Sequence, residues 1–138
     1  MIQRIQTLWL LLASACAFVS LKVPFYSGTN NANEASYRLM GTENFYLMLM
    51  TIAIGIIALF TIFLYSNRTL QLRLCLLGML LEAGLIFLYY KQTTTFVAGT
   101  GTYSLTSILQ LFILVFFFLA MRGINRDNKI IKDSNRLR

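Results

Sequence analysis

Residues 44–65 read NFYLMLMTIAIGIIALFTIFLY, a run with no charged side chain. At 1.5 Å per residue a helix of this length reaches roughly 33 Å, enough to cross a hydrocarbon layer of about 30 Å. The apolar residues are continuous instead of alternating, which selects a membrane helix over a barrel strand. Next, a four-residue turn around Asn67-Arg68 leads into a third apolar stretch at about 70–90, with Arg73 near its start and Glu82 near its middle. A turn that short makes the two stretches antiparallel neighbours. Upstream, a first stretch at about 7–23 stops at Pro24, the only proline, which suits a helix end. Downstream, a fourth at about 104–121 is dense in Phe and Leu. The remainder is a polar loop at 24–43, a loop at 91–103 and a basic tail at 122–138. The expected fold is all-α: an integral membrane four-helix bundle forming a single domain over 1–138.

Composition agrees. The chain has 138 residues, 57% of them hydrophobic and 12% charged, against about 25% charged in ordinary soluble domains. Four spans consume about 80 residues, and what is left is too little for a soluble domain. A multi-domain enzyme, a disulfide-stapled secreted module and a disordered tail are excluded. There is no histidine, so the commonest metal ligand and neutral-pH base is missing. No HExxH, GxSxG, P-loop, CxxC or close carboxylate pair occurs. A non-enzymatic protein without cofactor or metal is expected. Cys16 and Cys75 lie inside apolar runs and read as packing residues.

The net charge is +7. In a soluble protein this would suggest nucleic acid; beside apolar runs it reports orientation, and no nucleic-acid partner is expected. Arg4, Arg68, Arg73, Arg122, Arg126, Lys129, Lys132, Arg136 and Arg138 fall on one side. Lys22, Arg38 and Lys91 fall on the other, offset by Glu34 and Glu43. The positive-inside bias then places both termini, and the turn between helices 2 and 3, in the cytoplasm. Tyr26, Tyr46, Tyr65, Tyr89, Tyr90 and Tyr103 sit near span ends, as an aromatic belt would, and Trp9 fits the same role. Ala13-Ser14-Ala15-Cys16-Ala17 also resembles a secretory or lipoprotein cleavage site. The apolar run continues through Phe18, Val19 and Leu21, however, so an uncleaved span is the better reading.

Glu82 is the most informative residue. An ionisable group near the bilayer centre costs about 3 kcal/mol to insert and defaults to a functional hypothesis. It reads as a helix clasp or as a proton or cation site. Gln110 is the candidate partner: the two lie ~12 Å and ~16 Å from the inner ends of their spans. Ala13, Ala17, Ser20 and Gly78 supply small residues for close helix packing, within the chain or against another. Phe112, Phe116, Phe117 and Phe118 read as lipid-facing bulk. The tail bases Arg122, Arg126, Lys129, Lys132, Arg136 and Arg138 suit anionic headgroups or a partner, with Ile124, Ile130 and Ile131 turned towards the membrane. Asn67-Arg68-Thr69 matches a glycosylation acceptor but falls on the cytoplasmic side and receives no role. The first outer loop shows nothing beyond solvation.

Three segments carry a resemblance. The opening Met1-Ile-Gln-Arg-Ile-Gln-Thr-Leu-Trp-Leu-Leu-Leu, the turn from Asn67 to Cys75 and the closing stretch from Arg122 to Arg138 resemble domain-of-unknown-function family 4293. That is an uncharacterised four-helix family of Bacteroidetes-type bacteria. The resemblance spans the chain and implies a four-span inner-membrane protein. It brings no activity, cofactor or catalytic residue. The expected role is therefore an accessory or structural subunit of the bacterial inner membrane, associating with lipid, other membrane proteins or itself. The alternatives are a small proton- or ion-coupled transporter centred on Glu82, or an envelope factor docking a cytoplasmic partner through the tail.

Overall fold

The computed structural model describes residues 2–29 and 36–136. Helix α1 spans Ile2–Ser20, α2 Phe45–Phe63, α3 Arg68–Thr93 and α4 Ile108–Arg136. Strands β1 (Pro24–Gly28), β2 (Tyr37–Met40) and β3 (Thr102–Tyr103) lie in the two loops at one end, and a 3-10 turn, Leu105–Ser107, leads into α4.

Each helix buries side chains at alternating steps of four and three. On α1 they are Gln6, Leu10, Ala13, Ala17 and Ser20; on α2, Leu47, Thr51, Ile54, Ala58 and Thr61. On α3 they are Gln71, Cys75, Gly78, Glu82, Leu85 and Tyr89; on α4, Gln110, Ile113, Phe117, Ala120, Ile124 and Asp127. This 3.5-residue repeat keeps one narrow seam per helix facing its neighbours. The helices close into a ring in which α1 touches α2 and α4, and α3 touches the same two.

The seam is less apolar than the outside. Nine buried side chains among the described residues are polar, including Gln6, Thr51, Thr61, Glu82 and Gln110. The outward positions hold Leu8, Leu49, Phe60, Leu80, Phe87 and Leu111, each more than half exposed. Water would force the opposite arrangement, an apolar stripe inside and a polar face outside. Three helical segments, Phe45–Phe63, Arg68–Thr93 and Leu105–Ser134, are long and apolar enough to cross a membrane, with only 33%, 28% and 28% of their apolar windows buried inside the bundle. The first stretch differs from the expected span at 7–23. The helix ends at Ser20, three residues before the expected limit, because the chain turns at Lys22, whose N–H donates to the Val19 carbonyl.

Pro24 opens a strand instead of ending the helix directly. The first outer loop, expected to be only solvated, pairs β1 with β2, and β3 adds from the other loop to give the antiparallel order β2-β1-β3. Aromatic and β-branched residues favour such pairing: Tyr26 opposes both Leu39 and Tyr103. The sheet sits on the bundle end through Phe25, stacked on Tyr89 with ring centroids 4.4 Å apart. Thr106 ties the 3-10 turn to the sheet by donating its hydroxyl to the Pro24 carbonyl. Gly101 is held to glycine by contact, since a Cβ there would lie 2.2 Å from the Tyr26 hydroxyl.

Candidate functional site

The polar positions of the seam gather at two levels. At the end holding the α2–α3 turn, Gln6 Nε2 donates to Asp127 Oδ2 at 2.8 Å and Gln71 Nε2 donates to the Thr61 carbonyl at 3.2 Å. Each bond joins neighbouring helices, α1 to α4 and α3 to α2. The sequence reading placed Asp127 in the basic tail; it is buried because α4 continues unbroken through 121 into that segment. Ile124 likewise packs in the core instead of turning to the membrane, whereas Ile130 and Ile131 are about half exposed.

The second level holds Glu82 and Gln110, on the facing helices α3 and α4. Glu82 is fully buried and Gln110 is 3% exposed. Gly78 meets the Phe117 ring, 2.7 Å from where a Cβ would stand. Counting outward from that contact puts Glu82 and Gln110 within about one helical turn of each other. The direct clasp is not formed: both Glu82 carboxyl oxygens and Gln110 Oε1 have no hydrogen-bond partner. Two turns further on, Tyr89 hydrogen-bonds with the Thr51 side chain. Tyr89 is thus a core residue instead of a belt residue, while Tyr46, Tyr65, Tyr90 and Tyr103 are exposed. Tyr26 packs on Phe96 and Tyr103. Trp9 stacks on Phe116 at 5.7 Å.

Ala13, Ala17, Ser20 and Gly78 all face inward and serve this chain's own bundle. Phe117, read as lipid-facing, is fully buried because Gly78 leaves room for its ring; Phe112 and Phe118 remain exposed. Cys16 and Cys75 are free. Arg122, Arg126, Lys129 and Lys132 are exposed. Their spacing keeps them within about a third of the α4 circumference, away from Ile124 and Asp127. Arg136 closes α4, Arg4 lies in α1, and Glu34 and Arg138 fall outside the described residues.

A family model described as Domain of unknown function (DUF4293) matches residues 2–137. The chain belongs to the DUF4293 family. No curated protein and no solved structure matches it. The DUF4293 match covers the opening, the α2–α3 turn and nearly all of the closing stretch, the segments that carry the resemblance. The heptad seam was the missed signal: read at 3.5 residues, it places Gln6, Gln71 and Asp127 on the same inward line as Glu82 and Gln110.

Proposed function

We propose that this DUF4293 chain is a non-enzymatic bacterial inner-membrane protein, four-span with both termini cytoplasmic. It acts as an accessory subunit that holds membrane lipid and protein neighbours. The observation that carries this reading is the outward face of Leu and Phe around an interior that holds nine of the polar side chains described. Lipid tails solvate such a surface and water does not. α1, packed on α2 and α4, crosses with the other three. The basic stripe on α4 is the outer surface with its own chemistry, suited to anionic headgroups and an acidic cytoplasmic partner at about 1 kcal/mol per base. The small residues are already used inside, so self-association would run through the bulky outer faces.

The test is alkaline extraction of membranes combined with tag accessibility at both chain ends. Retention in the membrane with tags reached only after cell permeabilisation supports the reading. Release into the aqueous fraction, or tags reached from outside intact cells, defeats it. A second reading, a small proton- or ion-coupled transporter, is favoured by the Glu82 carboxyl having no hydrogen-bond partner.

A further inference from the structure

Three acceptor oxygens in the bundle centre lack a hydrogen-bond donor: Glu82 Oε1, Glu82 Oε2 and Gln110 Oε1. Both side chains are more than nine-tenths buried. No basic residue occurs in α2, nor in α4 between Ile108 and Met121. On α3 itself the nearest bases, Arg73 and Lys91, are each nine residues away, ~13 Å along the helix. An ionised carboxylate buried without a counter-charge is costly. A carboxylic acid avoids that cost and supplies the donor that the cluster lacks. Divalent hard cations take six or more oxygens, and this cluster offers three.

An approach is present on one side only among the described cavities. A cavity of about 200 Å³ at the sheet end is lined by Phe25, Ile86, Tyr103, Ser107, Gln110 and Leu111. Tyr103 and Leu111 at its rim are each 58% exposed, and the buried Gln110 is its floor. At roughly 30 Å³ per water its volume equals that of several molecules, and Tyr103, Ser107 and Gln110 are the polar side chains of an otherwise apolar lining. We propose that Glu82 is a proton-binding site, loaded as the carboxylic acid from the sheet end through this cavity, with Gln110 relaying the proton's water to it. On the buried face of α3 itself the other titratable side chains are Cys75 and Tyr89, each seven residues from Glu82. From α2 (47–63) and α4 (108–121) no titratable side chain faces it, and α1 between Thr7 and Ser20 carries only Cys16.

This inference deepens the transporter reading and rests on the bilayer placement proposed above. The full-length protein is reconstituted in phosphatidylcholine vesicles, floated, and treated with dicyclohexylcarbodiimide, whose C=N bond adds the O–H of a carboxylic acid but not a carboxylate. The expected result is a single adduct at Glu82 by peptide mass mapping, absent in Glu82→Gln. Its rate falls about tenfold per pH unit once the acid is the minority form, and it is equal in sodium and choline chloride. Ser107→Trp, which fills the cavity, slows labelling by a water-soluble carbodiimide. A floated chain that does not label at Glu82, or one protected by sodium, overturns the proton site; an unchanged rate in Ser107→Trp overturns the route. A chain that fails to float overturns the placement as well.

Discussion

Gly78 and Phe117 show how much one missing side chain decides. The Phe117 ring occupies the space that any Cβ at position 78 would claim. Gly78→Leu is therefore expected to cost roughly 1–3 kcal/mol by overpacking, read as a lower unfolding midpoint in detergent. Adding Phe117→Ala should restore part of that loss, and the double-mutant cycle would show the coupling. Asp127 offers a polar counterpart. Its bond to Gln6 is 2.8 Å long and buried, so Asp127→Ala should destabilise by roughly 1.5–3 kcal/mol. Asp127→Asn, which keeps an acceptor, should lose less. Neither partnership was legible from residue types alone. A phenylalanine in an apolar run reads as lipid-facing, and an aspartate among lysines reads as solvated, until the 3.5-residue line through each helix is drawn.

At the scale of the helix, the two faces respond to opposite substitutions. Leu80 is 66% exposed, and under the proposed membrane placement an arginine there would meet lipid, at a cost of about 3 kcal/mol near the bilayer centre. Leu80→Arg should reduce the membrane-inserted fraction, whereas Cys75→Ser on the seam should leave it unchanged; fractionation with carbonate extraction distinguishes them. α4 carries a second prediction. Changing Arg122, Arg126, Lys129 and Lys132 together to Gln removes four of the eight described bases at that end, and under the proposed placement tag accessibility should then report mixed orientations. The four apolar stretches were readable because a ~30 Å layer demands long uninterrupted runs. The strands were not: Pro24–Gly28 and Tyr37–Met40 are short, and the second partner of Pro24–Gly28, β3, lies dozens of residues away.

At the scale of the molecule, the ring closes between the first helix and the last. α1 makes its most extensive contact with α4, and Gln6 finds its acceptor 121 positions later. The hairpin of α2 and α3 is local by comparison, joined by a turn of a few residues. This connectivity sets an order of biogenesis. Under the proposed membrane placement, α4 follows the other three helices out of the ribosome and closes the ring, so until it arrives Gln6 lacks its Asp127 acceptor. A message truncated before Ile108 would therefore yield a bundle missing that wall.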